Sequence, residues 1–178
     1  MKLELSEEIA KILEYAKIEA MRTGSWQAGT GHLVLALLRH GDNDACRVLA
    51  RAGVDPAALK LHLDAQLFRK EAIPYAEEER IAFSRDAENT VSLAFLEASM
   101  AGQREVRAVH LLLSAVRSPQ NRCTSFLEQR GVSYARLSEE MRAAGLLQPE
   151  IREEKEEKPA ERLLDVIELI GRENKIFS

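Results

Sequence analysis

Gly29-Thr30-Gly31-His32-Leu33-Val34-Leu35-Ala36-Leu37-Leu38 is the stretch whose reading decides the fold, because the chain writes a degraded copy of it once more. At an offset of 78 residues, Thr30-Gly31-His32-Leu33-Val34-Leu35 becomes Ala108-Val109-His110-Leu111-Leu112-Leu113. The same offset pairs Ser6 with Ser84, Ala16 with Ala94, Ala20 with Ala98, Gly24 with Gly102, Leu49 with Leu127 and Gly53-Val54 with Gly131-Val132. A register held without a gap over that distance is a tandem repeat, so both copies should adopt one fold.

Local signals say what that fold is. Ser6 can cap a helix whose Ile9, Ile12, Leu13, Ala16 and Ala20 recur at helical spacing, and Gly24 can end it in the left-handed conformation. Thr30 can cap a second helix running to about residue 39, apolar nearly all round and therefore buried. The turn Gly41-Asp42-Asn43-Asp44 offers two competing caps for a third helix, which carries Cys46, Val48 and Leu49 to Gly53. Asp55-Pro56 then reads as N-cap and first-turn proline of a fourth, through Leu59, Leu63 and Leu67. Copy two predicts helices over about 84–101, 108–117, 119–130 and 133–144. Ala108, standing where Thr30 stands, lacks a capping hydroxyl, a loss of about 1 kcal/mol unless another group substitutes.

The expected fold is therefore all-α: two four-helix units related by a pseudo-twofold axis, packing sequential neighbours and containing no β-sheet. The repeats should span 3–70 and 81–145 within a domain of residues 1–147, joined where Pro74 and Glu77-Glu78-Glu79 interrupt the pattern. Residues 148–178 should form a charged linker and a short apolar helix around Leu163 to Ile170.

Composition narrows the function classes. The 178 residues are 46% apolar and 30% charged, the profile of a globular protein. Its net charge of −4 is dispersed, with no basic block to suit nucleic acid. The longest apolar run, Leu33 to Leu38, is far short of the ~20 residues of a membrane span, and no signal-peptide pattern opens the chain, so a cytoplasmic protein with no membrane partner is expected. Cys46 and Cys123 have no metal-ligand spacing and are expected to be reduced, buried hydrophobes. No metal and no cofactor is expected, and the chain alone should be a monomer.

No catalytic constellation is legible either. The sequence holds no GxxxxGK[ST] loop, HExxH, nucleophile elbow or dinucleotide fingerprint, and Glu7-Glu8 and Glu139-Glu140 are neighbours whose side chains diverge on a helix. His32 and His110 are equivalent first-turn residues, expected to be structural histidines that hydrogen-bond across the bundle. Gly29-Thr30-Gly31 could present free amides to an anion, or simply cap and turn the chain. Trp26 is either a partner contact or a lid on its own bundle, and Met21, Met100 and Met141 are expected to fill the core. The candidate partner- or anion-binding residues are thus Trp26, Thr30, Gly31, His32, Val109 and His110.

Gly24, the Gly-Thr-x-His-Leu-x-Leu-x-Leu-Leu segment, Val48-Leu49 and Gly53-Val54, with this layout repeated at offset 78, resemble the double Clp repeat at the front of Clp-family ATP-dependent unfoldases, most closely ClpC and ClpA. The resemblance covers about residues 3–145. It implies a non-catalytic, eight-helix domain that docks adaptors or substrates, with Clp ATPase, adaptor or substrate proteins as partners. Two alternatives are a stand-alone regulator that binds the Clp ATPase or protease itself, and a small-anion-binding helical domain. A helix-turn-helix reader of DNA is disfavoured by the charge. In ClpC-type domains a glutamate often stands between the Thr and the His, and some members use it to recognise phosphorylated arginine. Here that position is Gly31 in one copy and Val109 in the other, and Arg107 replaces Gly29, so phosphoarginine recognition is not expected.

Overall fold

A computed structural model describes residues 3–69, 71–117, 122–150 and 170. The first repeat holds α1 (Glu7–Thr23), α2 (Thr30–His40), α3 (Asp44–Arg51) and α4 (Pro56–Leu67). The second holds α5 (Arg85–Met100), α6 (Ala108–Arg117), α7 (Arg122–Gln129) and α8 (Tyr134–Ala143). Each helix of the second repeat begins 78 residues after its counterpart, so the offset read from sequence is also the structural one.

The capping chemistry explains most boundaries. Ser6 Oγ accepts from the Ile9 amide at 3.2 Å, and its counterpart Ser84 accepts from Ala87 at 3.1 Å. Asn43, of the two competing candidates, caps α3 by accepting from the Cys46 amide. Gly24 ends α1 at φ 80°, where an added Cβ would lie 2.3 Å from the Glu71 carbonyl oxygen, so glycine is required there for two independent reasons.

The expectation of no β-pairing is corrected. Among the described residues are four two-residue strands: β1 (Glu4–Leu5), β2 (Gln27–Ala28), β3 (Ala82–Phe83) and β4 (Glu105–Val106). They pair in parallel as β1 with β4 and β2 with β3. Strands this short carry no alternation to read, and each forms only because the segment before one repeat's first helix lies beside the segment before the other repeat's second helix. The register is Glu4 with Glu105 and Gln27 with Ala82, and the 78-residue exchange turns one ladder into the other. That reciprocity is the signature of a pseudo-twofold arrangement, and the fold remains all-α in class.

One continuous core draws on both repeats. Leu33 and Leu37 of α2 are fully buried, and Leu111 and Ala115 of α6 nearly so. Packing is more than sequential: α2 touches α5, α6 and α7 as well as α1, and α3 touches α6 and α8. The joint between repeats docks on the end of α1, where the Arg69 amide donates to the Thr23 carbonyl and the Ile73 amide to Met21, each at 2.8 Å. A 3₁₀ helix, Tyr75–Arg80, follows.

Two packing expectations are corrected. Met21 and Met141 are core residues, but Met100 at the end of α5 is 56% exposed. Cys123 is buried and its thiol pushed up to about 12 by desolvation, whereas Cys46 is only half-buried. Beyond α8 the chain stays on the domain, with the Glu150 amide donating to the Gly102 carbonyl at 2.9 Å. The charged linker and short helix expected beyond this point fall outside the described residues apart from Ile170, which is partly buried against the core.

Candidate functional site

The first turn of α2 is organised by its histidine. The Gly29 amide donates to His32 Nδ1 at 3.0 Å, so the ring proton sits on Nε2 and is given to Thr23 Oγ1, 2.9 Å away. Thr23 in turn donates to the Glu19 carbonyl. His32 therefore ties the start of α2 to the end of α1. Burial is the main reason its pKa falls to about 4, helped by Arg22 and Arg69, which leaves it neutral near pH 7.

His110 repeats half of this arrangement. The Arg107 amide donates to its Nδ1 at 2.9 Å, again placing the proton on Nε2. The residue equivalent to Thr23 is Ala101, and His110 Nε2 is buried with no hydrogen-bond partner among the described residues. Its pKa also falls to about 4, from desolvation first and Arg107 second.

Thr30 does not cap α2 through its hydroxyl. Gly29 is the N-cap, and the hydroxyl instead bonds Asp86 Oδ2 at 2.5 Å and Thr90 Oγ1 at 2.9 Å, both on α5 of the other repeat. Asp86 and Ser84 thereby join Ser25, Gln27, Thr30 and Gly31 around a cleft of about 280 Å³ at the start of α2. Leu63 and Leu67 complete it, and a Cβ on Gly31 would meet Leu67 Cδ1 at 2.8 Å. Glycine at 31 is what lets Leu67 close over the helix start. Trp26, between two cleft residues in sequence, is 46% exposed with the Arg80 guanidinium 4.8 Å from its ring centroid.

The start of α6 is different. Ala108 lacks the capping hydroxyl, as read from the sequence, but its amide donates to Glu8 Oε2 at 2.8 Å, a carboxylate reaching across from the first repeat. Val109 and His110 are buried and present no side-chain surface to a partner. The structure thus brings Thr30, Gly31 and His32 together at one cleft, leaves Trp26 beside it in sequence, and places Val109 and His110 inside the core.

Sequence reasoning missed Asp86 and Glu8. The signal was available, since they are equivalent acids at offset 78, but nothing local says that each serves the other repeat's helix. Positions 31 and 109 carry no carboxylate, yet each helix start meets one from across the pseudo-twofold, Asp86 at Thr30 and Glu8 at Ala108. Among the described residues no group of His, Cys, Asp or Glu could hold a metal ion, and no helix is long and apolar enough to cross a membrane.

Known proteins agree with this architecture. The chain is 27% identical over 128 residues to the negative regulator of genetic competence ClpC/MecB of Bacillus subtilis (strain 168), an alignment covering 72% of this chain and 15% of that protein. It is 26% identical over 128 residues to the chaperone protein ClpB of Oceanobacillus iheyensis, again 72% of this chain and 15% of the relative. The chain thus spans about 15% of the length of these curated relatives. In structure it is similar to the N-terminal domain of the ClpV1 ATPase from E. coli (TM-score 0.64, 22% identity, covering 84% of this chain and 92% of that one). It is also similar to the Hsp104 N-terminal domain from Candida albicans (TM-score 0.64, 15% identity, 80% and 93% covered). The family model for the Clp repeat (R) N-terminal domain matches twice, over residues 4–94 and 82–177, and with one match on each structural repeat the chain belongs to that family.

Proposed function

We propose that this chain is a non-catalytic protein-binding domain of the Clp chaperone and protease system, docking adaptor or substrate proteins for an ATP-dependent unfoldase. The observation that carries the reading is the doubled Clp repeat in a chain whose relatives match it over that region alone. The open cleft at the start of α2 supports it. That cleft combines hydrogen-bonding groups (Ser25, Gln27, Ser84, Asp86) with the apolar Leu63 and Leu67, a mixture suited to peptide side chains rather than to one small substrate.

Anion binding at the helix starts is the weaker reading. The Ala108 amide is already taken by Glu8, and Asp86 puts negative charge beside Thr30. The test is affinity capture from a bacterial lysate with the full chain as bait, beside a Thr30→Arg variant that fills the cleft. Enrichment of Clp adaptors or substrates by the native chain, reduced by the variant, is the expected result. Enrichment of Clp ATPase or protease subunits in their place would make the chain a regulator of the machine, and no enrichment of Clp-system proteins would overturn the proposal.

A further inference from the structure

The two repeats differ where the end of their first helix meets their fourth. In the first repeat this contact is closed by charge. Arg22 Nε lies 2.5 Å from Glu19, Arg22 Nη2 lies 2.5 Å from Asp64 Oδ1, and Lys60 reaches Asp64 Oδ2 at 3.4 Å. At offset 78 these residues become Met100 for Arg22, Glu97 for Glu19, Arg142 for Asp64 and Ser138 for Lys60. The cation that bridged is now apolar, and the carboxylate that received it is now a cation.

The consequence is a second cleft, of about 280 Å³, lined by Met100, Leu147, Ser138 and Arg142 among others. Glu97 also lines this cleft but does not serve Arg142, because its charge is already answered: Tyr134 donates to its Oε2 at 2.8 Å and Arg117 Nε lies 3.1 Å from Oε1. Among the described residues the Arg142 guanidinium has no ion-pair or hydrogen-bond partner, and the Ser138 hydroxyl has none either although the residue is only 5% exposed. The cleft therefore holds an unpaired cation and an unused hydroxyl beside exposed methionine.

We propose that this cleft docks a peptide segment of a partner protein that places a carboxylate side chain next to an apolar one. The carboxylate takes the place that Asp64 fills in the other repeat, now paired with Arg142 and accepting from Ser138, and the apolar neighbour covers Met100 and Leu147. The proposal rests on the protein-binding reading above, but names a surface distinct from the α2 cleft, so the two can fail separately.

The test uses the full chain and three capped peptides of one sequence, carrying Leu-Glu-Phe, Leu-Gln-Phe or Leu-Lys-Phe at the centre, titrated at low salt while the Met100 methyl resonance is followed by NMR. The expected order is Glu over Gln over Lys, with Glu preferred to Gln by about 1.5- to five-fold, the range for one exposed charge pair. Arg142→Ala should abolish the preference and Arg142→Asp should reverse it towards Lys. The double change Met100→Arg with Arg142→Asp rebuilds the first repeat's closed contact and should remove binding while leaving the fold intact by circular dichroism. Equal binding of the Glu and Gln peptides to the native chain, or a preference for Glu that survives Arg142→Ala, would overturn the proposal, as would shifts confined to residues of the α2 cleft.

Discussion

Replacing Ala101 by threonine should stabilise the protein, because the first repeat already shows what the second lacks. His32 Nε2 is 2.9 Å from Thr23 Oγ1, whereas His110 Nε2, fixed as a donor by the Arg107 amide on Nδ1, is buried without an acceptor among the described residues. A buried donor left unpaired costs about 1–3 kcal/mol, and a β-branched residue at the end of a helix returns roughly 0.5 kcal/mol of that gain. Ala101 lines an open cleft, so the added hydroxyl and methyl have room. The net expectation for Ala101→Thr is about 0.5–2.5 kcal/mol of added stability, or roughly 1–10 °C in Tm for a chain of this length. The mirror change, Thr23→Ala, creates the same orphan at His32 and should cost about 1–3 kcal/mol. Urea denaturation measures both, and NMR should show the His110 Nε2 proton exchanging more slowly in Ala101→Thr. If that variant is no more stable than the native chain while Thr23→Ala is clearly destabilised, Ala101 does not face Nε2 as Thr23 does, and the reasoning from symmetry fails.

Acid should unfold the protein through its two histidines. Both are held near pKa 4 in the fold against about 6.5 when unfolded, so the unfolded chain binds more protons between those values. Stability is therefore full above pH 6.5 and falls as the pH drops towards 4, by about 3 kcal/mol per histidine, and His110→Phe should flatten the slope of urea stability against pH over that window. Gly24→Ala should be far more damaging than Gly53→Ala: both positions have positive φ, but the first Cβ meets the Glu71 carbonyl oxygen at 2.3 Å and the second meets nothing within 4 Å. The second should cost about 1 kcal/mol, close to the left-handed penalty alone, and the first several, as read by thermal unfolding. Titration with phosphoarginine and with inorganic phosphate should show little affinity for either, because the chain's own Glu8 and Asp86 stand at the helix starts. Glu8→Gln and Asp86→Asn should strengthen phosphate binding, and tight, selective binding of phosphoarginine by the native chain would refute this account.

Helix positions were legible in the residues because the signals that set them are local. Ser6, Asn43, Asp55 and Ser84 cap through amides two or three residues away, and the apolar spacing of Ile9, Ile12 and Leu13 needs only the helical period. The 78-residue register, and with it the repeat and the equivalence of Leu33 and Leu111, needed only comparison of the chain with itself. What stands at each helix start was decided by the tertiary structure. Asp86 meets Thr30 across 56 residues of sequence and Glu8 meets Ala108 across 100, because the pseudo-twofold crosses each repeat's first helix onto the other's second. The β-ladders arise from the same crossing and carry no pattern of their own. His110's missing partner and the unpaired Arg142 belong to the same class, since each becomes visible only when the two repeats are laid over one another in space and no described residue within reach answers it.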